Sequence, residues 1–456
     1  MRGFVKLSLL VLLMGMVSAC STTSTTQSVF TYPYTMTLGY LPSTNIRTLF
    51  VANVFTGTVS EINTATNSVM TVTTPAGIYN AIPLNMYPNS IEYDNGYLYI
   101  AGFTQSTGLL ESLNLLTNQT TSTVMLMGIP FKTRLITKDS TMYVISVEKN
   151  VFYLQSFTVG TMISTFTFTS LPFTPSDIAL SPDYNSILIS YKNQPFISML
   201  DPVTLQEIRR IPTDHPVSVM HAMYNYNKML YAIVVSSTSY NFESINMDSG
   251  NIGYEFTLPG MPYDMAISPQ RILLDDNHFS YLGIVANANG YIHFINIDYG
   301  CEIPAIPSSH TGVTLTTSVV EANSSNLPSI QAITTNDCAT QSETWSVIYN
   351  ASQKDYTVIG TVSGLQPRPA ITGSFFDATN NAVSFYISPG SVSLNNNDMF
   401  TFSTIAAQQI KTILGLGLPQ HVIIDPVTNQ AYVTDILTNS IYAISPLTQT
   451  IITTIR

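Results

Sequence analysis

The C-terminal stretch Pro419–Ile455 is the feature that most constrains how this chain can fold. It contains four short runs rich in Val, Ile, Tyr and Thr, residue types that fit a pleated sheet. Turn-forming residues separate the runs, as in Asp425–Asn429 and Pro446–Gln449. The pattern predicts four antiparallel strands joined by tight turns. Because one such meander cannot bury both of its faces, it needs copies of itself along the chain.

Prolines that precede the first strand of each copy measure the repeat. They recur at intervals of about 41–46 residues, followed by one long interval of about 157 residues. These anchor prolines are Pro42, Pro88, Pro130, Pro175, Pro216, Pro262 and Pro419. A period of 40–50 residues with four strands per unit is typical of a β-propeller. The sequence therefore predicts an all-β chain, a seven-bladed β-propeller in which one blade carries an insertion.

The predicted insertion spans residues 301–404 and follows the third strand of the sixth unit. Seven strand-like runs within about 100 residues predict a small β-sandwich domain. An extended set of hairpins lying on one propeller face is the alternative. The fourth strand of the sixth unit is then expected at Gln409–Leu414. Residues 41–300 form blades one to six up to the insertion, and residues 405–456 complete blade six and form blade seven.

Two units carry a resemblance to a known repeat family. Leu49–Thr74 reads LFVANVFTGTVSEINTATNSVMTVTT, and Pro419–Ile455 places AYVTDI, SIYAIS and TIITTI at the corresponding positions. These units resemble the YVTN family of bacterial β-propeller repeats, and the resemblance covers about two-thirds of the chain. It implies a propeller fold and an envelope or surface setting. It implies no particular reaction, because propellers host many functions.

Residues 1–19 have the organisation of a targeting segment. Arg2 and Lys6 give a positive start, and the apolar run Leu7–Met16 is too short to span a membrane as a mature helix. The run ends Val-Ser-Ala-Cys at Cys20, which resembles the lipobox of bacterial lipoproteins. That resemblance implies cleavage before Cys20, acylation of this residue and an outer-membrane location. An ordinary secretory signal is the alternative. Residues 20–40 are predicted to be the acylated cysteine and a Ser/Thr-rich tether.

Charge and composition exclude one class of partner and favour others. Only 9% of residues are charged, and the net charge is −11. Without a basic patch, nucleic-acid binding is excluded. A surface rich in hydroxyl and amide groups suits a protein or glycan partner, and the acyl chains would attach the chain to a membrane.

The cysteines and histidines carry no recognised catalytic or cofactor motif. The sequence has no CxxCH, no zinc-ligand spacing and no HExxH, so no cofactor is predicted. Beyond Cys20, the chain has two cysteines, Cys301 and Cys338. In an oxidising envelope two such cysteines usually form a disulfide, and two free thiols are the alternative.

A ring of polar residues emerges when the units are stacked. The second residue after each anchor proline should open the innermost strand of a blade, near one mouth of the central channel. The channel-mouth candidates are Ser90, Lys132, Asp177, Ser218, Asp264 and His421. Two carboxylates, an imidazole and two hydroxyls could bind a cation or a polar ligand. The alternative is a set of polar side chains that line a water-filled channel, so whether a metal binds is left open.

Two function classes follow from these observations. The first is a lipid-anchored binding or scaffold protein of the cell envelope, which the lipobox, the tether and the insertion favour. The second is a propeller enzyme, either a lactonase-like hydrolase or a quinoprotein-like oxidoreductase. That class needs a metal cluster or a set of docking tryptophans, and this chain has a single Trp. A surface-layer or appendage component is a third interpretation.

Overall fold

The computed structural model describes residues 29–75, 77–105, 107–136, 140–160, 164–181, 183–222, 229–235, 239–258, 260–273, 279–298, 301–302, 308–319, 326–407 and 416–456. Strands dominate these residues, and the helical structure assigned within them is the 3-10 turn Thr379–Asn381. The all-β prediction is therefore confirmed. Within these ranges, no helix has the length and apolar character required to cross a bilayer.

The strands are numbered in chain order. The first part of the chain contains β1 (Pro33–Tyr40), β2 (Arg47–Asn53), β3 (Thr58–Asn63), β4 (Ser68–Val69), β5 (Val72–Thr74), β6 (Gly77–Tyr79), β7 (Ile82–Pro83), β8 (Tyr87–Asp94), β9 (Tyr97–Phe103), β10 (Gly108–Asn114), β11 (Gln119–Met125), β12 (Ile129–Ile136), β13 (Thr141–Glu148) and β14 (Val151–Thr158). The middle part contains β15 (Ser164–Leu171), β16 (Pro175–Leu180), β17 (Ile187–Tyr191), β18 (Phe196–Leu200), β19 (Glu207–Pro212), β20 (Val217–Ala222), β21 (Met229–Val235), β22 (Tyr240–Asn246), β23 (Ile252–Leu258), β24 (Pro262–Ile267), β25 (Ile272–Leu273), β26 (Phe279–Ser280), β27 (Leu282–Asn287) and β28 (Ile292–Asn296). The last part contains β29 (Cys301–Glu302), β30 (Ser309–His310), β31 (Thr314–Thr316), β32 (Ser329–Thr335), β33 (Glu343–Asn350), β34 (Asp355–Gly360), β35 (Gly364–Leu365), β36 (Phe375–Asp377), β37 (Val383–Ser388), β38 (Met399–Ile405), β39 (Pro419–Asp425), β40 (Gln430–Asp435), β41 (Ser440–Ser445) and β42 (Thr450–Ile455).

Seven sheets in the described part of the chain follow one plan, a four-stranded antiparallel meander, and in the first sheet β7 also pairs with β3. Their strand orders are β1-β2-β3-β4, β8-β9-β10-β11, β12-β13-β14-β15, β16-β17-β18-β19, β20-β21-β22-β23, β24-β27-β28-β29 and β39-β40-β41-β42. The second strands are almost wholly buried, as in RTLFVAN of β2, because both of their faces are covered. That burial explains why these strands read as continuous apolar runs in the sequence.

The sheets are arranged side by side as in a β-propeller. The first strand of each sheet contacts the first strand of the next, in the order β1, β8, β12, β16, β20, β24 and β39, and β39 returns to β1. Hydrogen bonds also join the last sheet to the first. Tyr432 Oη donates to the Thr64 carbonyl oxygen at 3.2 Å, and Arg47 Nε lies 3.2 Å from Asp425 Oδ1.

The apolar core lies between the sheets. Each of seven buried clusters takes its residues from two neighbouring sheets, including one that joins the last sheet to the first. In that closing cluster, Leu49 and Val51 of β2 pack with Tyr432 and Ile441. Each fully buried side chain of this size contributes roughly 1.5–3 kcal/mol. Packing between sheets therefore supplies the main stabilisation of the ring.

Residues 308–319 and 326–407 form two further sheets around a core of their own. One sheet has the order β30-β38-β33-β34-β35, with β31 also paired to β38, and the other has the order β32-β37-β36. Trp345 lies in the shared core and donates from Nε1 to Thr404 Oγ1 at 3.1 Å. This core is separate from the seven inter-sheet clusters.

Two segment boundaries differ from those expected from sequence. Strand β1 begins at Pro33, so part of the predicted tether, residues 20–40, is the innermost strand of the first sheet. Cys301 and Glu302 pair with β28 and form the fourth strand of the sixth sheet, although residue 301 was the predicted start of the insertion. The strand predicted at Gln409–Leu414 lies outside the described residues.

Candidate functional site

A β-bulge at the start of each innermost strand shapes the channel mouth. In each first strand the register shifts just after the anchor position, between Pro33 and Thr35, Pro88 and Ser90, Pro130 and Lys132, Pro175 and Asp177, Val217 and Val219, Pro262 and Asp264, and Pro419 and Val422. A bulge bends the strand and redirects the next side chain. The bulge therefore sets the direction of the side chain two residues after the anchor.

The structure corrects two of the predicted anchor positions, and with the second of them one ring residue, Ser218. In the first unit the anchor is Pro33, because Pro42 follows β1. In the fifth unit the anchor position is Val217, so Ser218 is the bulged residue and Val219 takes the place expected for it. Proline is common in turns as well as at strand starts, which explains the first error.

Asp177 is the most heavily engaged residue of the mouth. Its side chain is 1% exposed. Oδ2 accepts from the backbone N–H of Met220 in the next sheet at 3.0 Å, and Oδ1 accepts from the N–H of Ile178 at 2.9 Å. Because the Met220 N–H is buried, this carboxylate satisfies a donor that would otherwise lack a partner. Asp177 thus joins the fourth sheet to the fifth.

Two cations of the third sheet neutralise Asp177. Lys132 Nζ lies 3.3 Å from Asp177 Oδ1, and Arg134 Nη2 lies 3.9 Å from the same atom. Burial lowers the pKa of Lys132, but the carboxylates of Asp177 and Asp264 raise it by more, so the net direction is upward. Lys132 therefore stays charged, and acids from two different sheets favour its charged form.

Asp264 repeats this arrangement between the sixth and seventh sheets. Its Oδ2 accepts from the backbone N–H of Val422 at 3.0 Å and lies 3.6 Å from His421 Nε2. Burial lowers the pKa of His421, and Lys132 and Arg134 lower it further, so these outweigh the opposing effect of Asp264. The imidazole is neutral at pH 7, and its buried Nδ1 has no hydrogen-bond partner among the described residues.

Ser90 begins a chain of hydroxyl contacts between the second and third sheets. Ser90 Oγ lies 2.6 Å from Thr133 Oγ1, which donates to Glu92 Oε1 at 3.3 Å. Burial raises the pKa of Glu92 to about 7, while Arg134 and the Thr133 hydroxyl act in the other direction. This carboxyl is therefore partly protonated at neutral pH.

A second layer of channel residues was missed by the sequence reasoning. The mouth positions Ser90, Lys132 and Val219 form the first layer. Two residues further along the same strands, β8, β12 and β20, lie Glu92, Arg134 and His221. Since side chains of a strand alternate, residues two apart share a face. The sequence does carry a signal for these residues, because they recur with the same spacing as the first layer, two positions later in each unit. Burial, assisted by Arg134, lowers the pKa of His221 to about 4, so it is neutral at pH 7.

The ring residues act in pairs and do not form one shared ligand set. Lys132 pairs with Asp177, and His421 with Asp264, while Ser90 contacts Thr133. Among the described residues, no group of three or more His, Cys, Asp or Glu side chains could hold a metal ion. Both carboxylates are already bonded to backbone N–H groups. Chemically, the arrangement links the first strands of neighbouring sheets.

The cysteine predictions have different outcomes. Cys301 and Cys338 form a disulfide with their Cα atoms 5.6 Å apart. Cys301 lies in β29 of the sixth sheet, and Cys338 follows β32 of the separate two-sheet unit. The disulfide therefore links that unit to the propeller covalently. Cys20, the predicted lipidation site, lies outside the described residues.

Comparisons with known proteins found similarity among solved structures. A chain of a crystal structure of the mitotic checkpoint complex has 10% identity and a TM-score of 0.41, covering 61% of this chain and 82% of that one. The WD40 domain of Neurospora crassa Pan2 has 10% identity and a TM-score of 0.40, covering 58% of this chain and 76% of that one. No family model matches the chain, and no curated protein matches it. The resemblance to the YVTN family stays a prediction.

Proposed function

We propose that this chain is a lipid-anchored protein of the bacterial cell envelope that acts as a binding or scaffold protein. In this proposal it is a seven-bladed β-propeller of the YVTN kind, with an inserted β-sandwich that carries the partner-binding surface.

The seven-bladed ring is supported by the inter-sheet cores. Seven four-stranded sheets share seven apolar clusters, one at each junction, and the seventh cluster joins the last sheet to the first. The inserted sandwich is supported by the two sheets of residues 308–407 and by the core that they share. Both sets of observations also favour a rigid scaffold over a mobile one.

The observation that carries the binding role is an exposed apolar edge of the inserted unit. Val362 is 62% exposed, Leu365 68%, Ile371 53% and Phe375 66%. Leu365, Ile371 and Phe375 lie along the stretch from β35, at the end of one sheet, to β36, at the end of the other, and Val362 lies in the turn before β35. Large apolar side chains clustered on one surface are typical of interaction sites. We call residues 362–375 the apolar edge.

The apolar edge fits a protein partner that adds a strand. Strand β36 is the terminal strand of its sheet and pairs on one side with β37, through Phe375 opposite Tyr386. An extended segment can pair with such an edge through main-chain hydrogen bonds, and Phe375 would contact its side chains. Each Å² of this apolar surface that a partner removes from water contributes about 25 cal/mol of favourable free energy.

A site-specific crosslinking experiment tests this role. A photoreactive phenylalanine analogue at position 375 is expected to capture one discrete protein from the cell envelope, and Leu365→Asp should abolish the adduct. The matched control carries the analogue at Val427, which is 63% exposed on the propeller. Equal labelling from positions 375 and 427, or an adduct that survives Leu365→Asp, would refute the proposed surface.

The anchor is tested separately at Cys20. In cells fed an alkyne fatty acid, the wild-type chain should be labelled, and Cys20→Ser should lose the label and accumulate as precursor. Ser21→Ala is the control, since it leaves the acceptor thiol in place. Equal labelling of wild type and Cys20→Ser would exclude acylation at this residue and remove the basis for the lipoprotein assignment.

A further inference from the structure

A cavity of about 320 Å³ opens between the third and fourth sheets. Its lining includes Asn150, Phe152, Phe173, Thr174, Asn193 and Gln194. These residues come from the β13–β14 turn, the start of β14, the connection from β15 to β16 and the β17–β18 turn. The volume is at the lower end of the roughly 300–1,000 Å³ of small-molecule sites. It accommodates a compact ligand better than an extended chain.

The walls of this cavity are held in place by aromatic and backbone contacts. The ring of Phe173 packs edge-on against Tyr191 at 5.6 Å and Phe196 at 6.0 Å. The N–H of Lys192 donates to the Thr174 carbonyl oxygen at 2.9 Å, which ties the connection to the β17–β18 turn. Phe173 nevertheless remains 36% exposed. These contacts hold the Phe173 ring, the apolar wall of an otherwise largely polar cavity, in one place, which lowers the ordering cost of binding.

The polar groups of the cavity are neutral and available. No residue of the lining carries a formal charge, which disfavours an ionic ligand. The carboxamides of Asn150, Asn193 and Gln194 form no side-chain hydrogen bond with the described residues. Each carboxamide offers two donors and one acceptor, and the Thr174 hydroxyl offers both functions. Such groups match a ligand whose own polar atoms both donate and accept.

We propose that this cavity is a binding site for a neutral carbohydrate of one or two rings. Sugar hydroxyls donate and accept, as the three carboxamides require, and the C–H face of a pyranose ring fits the exposed ring of Phe173. The site is distinct from the channel mouth and from the apolar edge. The experiments on the two are independent, so the scaffold role can be refuted while carbohydrate binding is confirmed, and carbohydrate binding can be refuted while the scaffold role is confirmed.

Ligand-observed saturation-transfer NMR on the full chain tests the site. The probes are methyl β-glucopyranoside, methyl β-galactopyranoside, N-acetylglucosamine and cellobiose, each used up to about 20 mM because ligands this small bind with millimolar affinity. Fluorescence is unsuited, since the single tryptophan, Trp345, lies in the inserted unit. At least one probe should bind the wild-type chain.

Two variants and one control locate the binding. Phe173→Ala removes the apolar wall, and Gln194→Glu keeps the shape but adds a charge and removes a donor pair. Each should weaken binding about tenfold or more. Phe168→Ala, which removes an aromatic ring that is 50% exposed but outside the cavity, should leave binding unchanged.

Three results would overturn the proposal. The first is that no probe binds the wild-type chain. The second is that binding persists in both Phe173→Ala and Gln194→Glu, with all variants matching the wild-type circular dichroism spectrum. The third is that a neutral blocked tripeptide binds the cavity and the sugars do not, which would make it a peptide site.

Discussion

Replacing Asp177 by alanine should destabilise the propeller strongly. The change leaves the buried N–H of Met220 without its acceptor, and such a loss costs about 1–3 kcal/mol. It also removes the partner of Lys132. Breaking a fully buried pair costs about 3–5 kcal/mol, but the Lys132 side chain is 29% exposed, so water recovers part of that cost. We expect a total loss of about 2–4 kcal/mol.

The asparagine variant separates the two contributions. In Asp177→Asn the side-chain carbonyl can still accept from Met220, and the charge that neutralises Lys132 and Arg134 is lost. We therefore expect Asp177→Asn to lose about half as much stability as Asp177→Ala. Adding Lys132→Met to Asp177→Asn should cost less than the sum of the single changes, because the uncompensated cation is removed.

Urea unfolding measured with two probes checks this reasoning. Circular dichroism follows mainly the propeller, and the fluorescence of Trp345 follows the inserted unit. Asp177→Ala should shift the first transition and leave the second unchanged. The control Glu148→Ala alters an exposed acid at the end of β13 and should shift neither. A stability of Asp177→Ala within about 0.5 kcal/mol of wild type would refute the inter-sheet role.

Three further changes test other parts of the structure. Burial raises the pKa of Glu243 to about 7, so the contribution of this carboxyl to stability is complete below about pH 4.5 and is lost as the pH rises through 7. Glu243→Gln should therefore be more stable than wild type at pH 8, by up to about 3 kcal/mol, and not at pH 5. Thermal melts at both pH values measure this, and the exposed Glu148→Gln is the control that should not respond. Replacing both Cys301 and Cys338 by Ser should lower the unfolding midpoint of the tryptophan transition, by an amount equivalent to about 2–4 kcal/mol, whereas an unchanged midpoint would show that the disulfide adds no stability. Gly290→Ala should destabilise the propeller by about 1–3 kcal/mol in the same urea assay, because φ is +80° and the added methyl group meets a backbone carbonyl oxygen; wild-type stability would contradict this.

The repeat was readable from sequence because its signal is local. Each second strand is buried on both faces, so apolar runs such as LFVAN and AYVTD recur with turns between them. The anchor prolines predicted the starts of the innermost strands less reliably. Pro42 fits the same local pattern as Pro33, and in the fifth unit the position is held by Val217, because the bulge requires no particular residue.

The role of the mouth residues could not be read from sequence, because it depends on contacts between sheets. Asp177 and Asp264 were expected either to bind a cation or polar ligand or to line a water-filled channel. Instead each accepts from a backbone N–H of the next sheet, Met220 or Val422, some 43 or 158 residues away along the chain. No local pattern reports which direction those N–H groups face. Arg134, by contrast, could have been predicted, because it follows Lys132 by two residues on one strand and alternate residues of a strand share a face.

These contacts also decide where a ligand can bind at low cost. A cation at the mouth would compete for Asp264 with the N–H of Val422, and displacing that bond exposes a buried donor at about 1–3 kcal/mol. The amides of Asn193 and Gln194 in the cavity between the third and fourth sheets have no such bonds to give up. A neutral ligand there gains its hydrogen bonds without breaking internal ones. The same comparison predicts that a divalent cation leaves the melting temperature unchanged, and a calcium-dependent rise that Asp264→Asn abolishes would reverse this ranking.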